Sequence, residues 1–106
     1  MTPAWSKAEG MADLWEGEMR GCRVEGHPVL VLKQAGVVRA YSDRCAHLAV
    51  PLSEGRFTDG VITCRAHAFS YDAATGGGIN PGNVRLRAYA AKTEAGEIWV
   101  DLTREP

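Results

Sequence analysis

Residues 45–67 read CAHLAVPLSEGRFTDGVITCRAH, and the ends of this stretch decide the reading of the whole chain. It opens on Cys45-Ala46-His47 and closes on Cys64-Arg65-Ala66-His67, with sixteen residues between His47 and Cys64. In a pair spaced C-x-H or C-x-x-H, both side chains of a tight loop can point toward one centre. Two such loops at neighbouring tips would gather two thiolates and two imidazoles, a donor set that can hold two irons. A structural zinc site also uses two Cys and two His, but its familiar order groups the cysteines and groups the histidines on a ββα scaffold. Here the types alternate. A lone Cys or His in a small domain is usually structural, so an iron-sulfur centre, a zinc site and simple packing all remain open on the residues alone.

Working outward, the surroundings are β-rich. Arg56–Thr58 and Val61–Thr63 flank Asp59-Gly60, a dipeptide suited to a tight hairpin turn with positive φ. Further runs of β-branched and aromatic residues predict strands at Glu18–Val24, Pro28–Lys33, Val37–Tyr41, Phe69–Tyr71, Arg85–Lys92 and Glu97–Leu102, with Ala95-Gly96 turning the last hairpin. Trp5–Glu18 is broken by Gly10 and Gly17 and predicts a short helical turn at most. Thr75–Asn83 concentrates Gly76, Gly77, Gly78, Pro81 and Gly82 and reads as a loop. The spacing predicts an all-β chain, a small antiparallel sandwich or barrel.

With 106 residues, 45% hydrophobic and 24% charged, the chain is expected to form one domain over residues 1–106. The formal net charge of −1 gives no general electrostatic case for nucleic acid or an anionic membrane. No apolar run approaches the roughly 20 residues of a membrane helix, and the N-terminus lacks the pattern of a secretory leader, so a cytoplasmic protein is expected. Three cysteines, at positions 22, 45 and 64, favour metal over a disulfide framework.

The sequence resembles the Rieske ferredoxins, and within them the ferredoxin components of bacterial toluene-type diiron monooxygenases. The two ligand-type pairs carry the resemblance, with Leu52-Ser53-Glu54-Gly55, Gly60-Val61-Ile62-Thr63-Cys64-Arg65-Ala66-His67 and Gly78-Ile79-Asn80-Pro81. It implies a Rieske fold whose cluster-binding subdomain presents two ligand loops. One [2Fe-2S] cluster would be held by Cys45 and Cys64 on an inner iron and by His47 and His67 on an outer, more exposed one. Replacing two thiolates by neutral imidazoles makes such a cluster easier to reduce than the all-cysteine type. The resemblance also makes the Gly76–Gly82 loop a cover for the cluster, with Pro81 against it. Ala46 departs from the proline of many relatives. Leu48-Ala49-Val50 and Ala68-Phe69 stand where respiratory Rieske proteins have two further cysteines, so no bridging disulfide is expected.

As function, the resemblance implies an electron carrier rather than an enzyme, placed between a flavin-containing, NADH-dependent reductase and a diiron hydroxylase that oxidises aromatics or alkenes. An alternative is the same role for a Rieske aromatic-ring dioxygenase, and a less favoured one is a zinc-binding module. The chain has only three histidines, so if His47 and His67 bind a cluster, His27 alone cannot build a two-His-one-carboxylate oxygenase site. No dinucleotide fingerprint occurs in a βαβ context. Cys22 reads as a buried bystander thiol, His27 as a turn residue, and Trp5, Trp15 and Trp99 as core or edge packing. Arg44, Arg56 and Arg65 read as solvated surface, and become docking candidates only through the cluster beside them.

Overall fold

A computed structural model describes residues 4–45, 50–65, 69–80 and 82–106. Among these, the strands in chain order are β1 (Ser6–Lys7), β2 (Met19–Val24), β3 (His27–Gln34), β4 (Val37–Ser42), β5 (Arg56–Thr58), β6 (Val61–Thr63), β7 (Ser70–Asp72), β8 (Gly78–Asn80), β9 (Ala88–Glu94) and β10 (Glu97–Asp101). They form two antiparallel sheets: a six-stranded one in the order β1-β10-β9-β4-β3-β2, and a four-stranded one in the order β5-β6-β7-β8. The expected all-β class is what the chain adopts, and among the described residues the one helical element is a 3₁₀ turn at Leu52–Glu54.

Strand β3 organises the molecule. Successive side chains of a strand point to opposite faces, so HPVLVLKQ sends Val29 and Val31 one way and Leu30 and Leu32 the other; all four are fully buried. The run is continuously apolar because both faces are covered. On one face Val29 and Val31 join Ala8, Met11, Leu14, Val24, Ala40, Ile98 and Val100 inside the curl of the large sheet. The Ser6 hydroxyl lies 3.0 Å from the Glu25 carboxylate and ties β1 to the far edge of the curl. On the other face Leu30 and Leu32 meet Leu52, Ile62, Tyr71, Leu86, Cys45 and Cys64, where the small sheet packs on the large one. Burial of each such aliphatic side chain is worth about 1.5–3 kcal/mol.

Four hairpins share one turn chemistry. Glu25-Gly26, Ala35-Gly36, Asp59-Gly60 and Ala95-Gly96 each carry positive φ at both residues (50 and 80, 53 and 76, 54 and 77, 54 and 77°). That is the primed turn whose twist matches the flanking strands, with glycine at the position where it costs least. The sequence reading named the last two as turns and left Glu25-Gly26 and Ala35-Gly36 unnamed.

Five expectations are corrected. The segment from Trp5 holds β1 and a series of turns instead of a helical turn; Gly10 and Gly17, on either side of the buried Met11 and Leu14, take positive φ and stop a helix from extending through it. The glycine-rich stretch is not all loop: Gly78–Asn80 pairs with β7, since edge pairing uses backbone groups that glycine supplies as well as any residue. Trp15 packs in no core, being 73% exposed, and His27 opens β3 rather than sitting in the turn before it. Strand β9 starts at Ala88, three residues later than expected; Arg85 contributes only an isolated bridge to Gly77.

Candidate metal centre

Both ligand-type cysteines follow the end of a strand. β4 ends at Ser42, the Asp43 N–H donates to the Pro28 carbonyl (3.1 Å), and Cys45 follows. β6 ends at Thr63, and Cys64 follows directly. Each cysteine then closes its own loop through a backbone bond to the carbonyl five residues on: Cys45 N–H to Val50 (3.0 Å) and Cys64 N–H to Phe69 (2.7 Å). The two loops are therefore closed alike although one pair is spaced C-x-H and the other C-x-x-H. Cys45 and Cys64 are 4% and 1% exposed and belong to one buried cluster, so the fold brings together two cysteines nineteen positions apart. No disulfide joins any of the three cysteines. His47 and His67, together with Ala46, Leu48, Ala68 and Pro81, lie outside the described residues.

What surrounds the cysteines was not legible in the sequence. The Tyr71 hydroxyl, fully buried on β7, lies 3.3 Å from Cys45 Sγ. A thiolate has no proton to give, so with Cys45 as a metal ligand the phenol is the donor. Asp43 is buried and accepts from Ser53 twice, from its N–H (2.7 Å) and its hydroxyl (2.6 Å), which ties the start of the first ligand loop to the 3₁₀ turn after it. Gly21 on β2 faces this clasp: a Cβ there would sit 2.5 Å from Ser53 Oγ and 2.7 Å from Asp43 Oδ2. Gly55 is tighter still, its Cβ position lying 2.0 Å from the Thr63 carbonyl oxygen, beside Cys64. Glu54 reaches Arg65 at 3.0 Å, an exposed ion pair joining the two ligand segments. The only signals available from sequence were the inward register of Tyr71 and the Leu52-Ser53-Glu54-Gly55 string.

Cys22 is a different kind of thiol. It sits half-buried on β2 against the core of the large sheet, and burial, followed by the nearby Asp43 carboxylate, raises its pKa above the ordinary thiol value. With its pKa raised it stays protonated at neutral pH. Arg44, Arg56 and Arg65 are exposed, with Arg56 and Arg65 lining an open concavity of about 420 Å³ with Cys64.

Two buried cysteines on twinned loops, one of them facing a phenol donor, suit a metal group that needs two thiolates in a dry setting. The Rieske [2Fe-2S] domain family matches residues 4–90, and the chain belongs to that family. Its cofactor is a Rieske [2Fe-2S] cluster, which accepts and gives up one electron at a time. The chain is 43% identical over 89 residues to the ferredoxin component of the alkene monooxygenase system of Xanthobacter autotrophicus, covering 83% of this chain and 73% of that one. It is 28% identical to the naphthalene 1,2-dioxygenase ferredoxin component of Pseudomonas putida, over 97% of this chain and all of the other. Among solved structures it superposes with a TM-score of 0.81 and 28% identity, covering 94% of each chain, on a chain of the complex of reduced oxygenase and oxidized ferredoxin in carbazole 1,9a-dioxygenase. Among the described residues no helix is long and apolar enough to cross a membrane.

Proposed function

We propose that this chain is the ferredoxin of a multicomponent monooxygenase, forming one domain over residues 1–106 and acting in the cytoplasm. Cys45, Cys64, His47 and His67 hold the cluster. It takes single electrons from a flavin-containing, NADH-dependent reductase and passes them to a diiron hydroxylase that oxidises an alkene or aromatic compound. The observation that carries the reading is the pair of buried cysteines on identically closed loops, each followed by a histidine in sequence. The choice of a monooxygenase is supported by the higher identity to the alkene monooxygenase ferredoxin, 43% against 28% for the naphthalene dioxygenase one.

The residues' contributions follow from their placement. Burial of Cys45 and Cys64 excludes water from the thiolates, and Tyr71 stabilises negative charge on Cys45 Sγ. Asp43 and Ser53 fix the first loop against β2. Delivery to a Rieske dioxygenase is the second reading, favoured by the superposition on the carbazole dioxygenase complex. Reconstitution decides between them: purified protein, a reductase and NADH are combined with a diiron hydroxylase or with a Rieske dioxygenase, and product is measured per NADH consumed. Coupled product formation with the hydroxylase and little with the dioxygenase is expected. The reverse would move the protein to the dioxygenase class, and a colourless zinc protein would overturn both.

A further inference from the structure

The chain's charge is nearly balanced, but the fold separates it. β3 spans eight residues, about 26 Å of strand; the first ligand segment follows the end of β4 that lies beside the start of β3, and the second follows β6. At that end Arg23, Arg44, Arg56, Arg65 and Arg87 are exposed, against three carboxylates: Asp43 buried on Ser53, Glu54 on Arg65, and the exposed Glu25 on the Ser6 hydroxyl. Among the described residues no carboxylate pairs with Arg44 or Arg56. At the opposite end of the large sheet lie the β3–β4 and β9–β10 turns, where Glu16 and Glu97 have no cationic partner among the described residues, and Lys33 is the nearby cation that pairs with no carboxylate. Glu16 is held there by the N–H groups of Ala35 and Gly36.

We propose that this polarity makes the arginine end the docking face and that the redox partner meets it with a surface rich in Asp and Glu. The inference rests on the electron-carrier reading above and adds the partner's chemistry. Screening supplies the physical reason: charges separated by more than a Debye length of about 8–10 Å act almost independently, so a partner approaching the ligand segments responds to the arginines and little to Glu16 and Glu97 at the far end of β3. The net charge of −1 is the wrong guide to association. The acidic end also disfavours encounters that present the wrong face to an acidic partner, since like charges repel there.

The test uses small redox probes, so that no partner need be known. Protein reduced with dithionite and freed of excess reductant is mixed with ferricyanide or with hexaammineruthenium(III), and the second-order oxidation rate is followed by absorbance. One electron passes from protein to probe, giving ferrocyanide or ruthenium(II), with no bond made or broken. Raising ionic strength from about 10 to 300 mM is expected to slow the anionic probe by roughly tenfold and to speed the cationic one. A molecule governed by its overall negative charge would show the opposite signs. Arg56→Glu should flatten or invert the ferricyanide dependence. Lys33→Glu, an equal change in net charge at the far end, should leave it within about twofold of wild type. Ferricyanide rates that rise with salt, or equal effects of the two variants, would overturn the polarity. If Arg56→Glu does not assemble, Arg65→Glu carries the same expectation. A wild-type protein without the visible and EPR signature of a [2Fe-2S] cluster overturns the carrier reading itself, and the proposal with it, before any kinetics.

Discussion

Replacing Tyr71 by Phe removes a single oxygen, the one 3.3 Å from Cys45 Sγ, and leaves a ring of the same shape in a fully buried position. Reduction adds one negative charge that the cysteine sulfurs share, so a donor aimed at Cys45 Sγ binds the reduced state more strongly than the oxidised one. Hydrogen bonds to charged groups contribute about 1.5–3 kcal/mol against roughly 0.5–1.5 for neutral ones, which puts the difference between the two states near 1 kcal/mol. For a one-electron couple about 59 mV corresponds to a tenfold change in equilibrium, or about 1.4 kcal/mol. The potential of Tyr71→Phe should therefore lie about 40 mV below wild type. Folding stability should change little, because ring volume is conserved. Protein-film voltammetry at pH 7 measures the shift, with the visible spectrum as a check that the cluster is intact. An unchanged potential with an unchanged spectrum would refute the argument that Tyr71 donates to a ligand sulfur.

Three further outcomes are expected. Alanine at Cys45, Cys64, His47 or His67 should abolish or degrade the visible absorption of the purified protein, whereas Cys22→Ser should keep it; loss of iron from Cys22→Ser with the fold intact would show the ligand set to be wrong. Gly55→Ala places a methyl 2.0 Å from the Thr63 carbonyl and should cost about 3 kcal/mol or more in urea unfolding, while Gly26→Ala, with open space but positive φ, should cost only about 1–2 kcal/mol; equal costs would mean that the backbone beside Cys64 yields more easily than its packing implies. Asp101 is fully buried by its neighbours, and its pKa is lowered from 3.8 chiefly by the Thr103 hydroxyl, with help from the Thr103 and Ala4 N–H groups. A depressed carboxylate stabilises the fold above its unfolded pKa and loses that contribution as pH falls through the folded one. The Tm gap between wild type and Asp101→Asn should thus be full at pH 6 and shrink below about pH 4, and a gap constant down to pH 2.5 would contradict it.

The sequence by itself determined the features that depend on residues close together in the chain. Alternation and β-branching located most strands within one or two residues, Asp59-Gly60 and Ala95-Gly96 marked two of the four primed turns, and the Cys-His spacing singled out the loops whose cysteines the fold brings into one buried cluster. Chain order could not show the Tyr71–Cys45 contact, which spans 26 positions, or the meeting of Gly21, Asp43 and Ser53 from three separate elements. It hid β8 as well, because a glycine-rich edge strand is held by backbone bonds that leave no side-chain pattern. The separation of charge is the clearest case: a formal net charge of −1 is a property of composition, whereas which end each arginine occupies is set by strand direction and sheet order. Covalent neighbours are legible in sequence; groups brought together by closing long loops acquire their meaning only when tertiary packing places them within a few ångströms of one another.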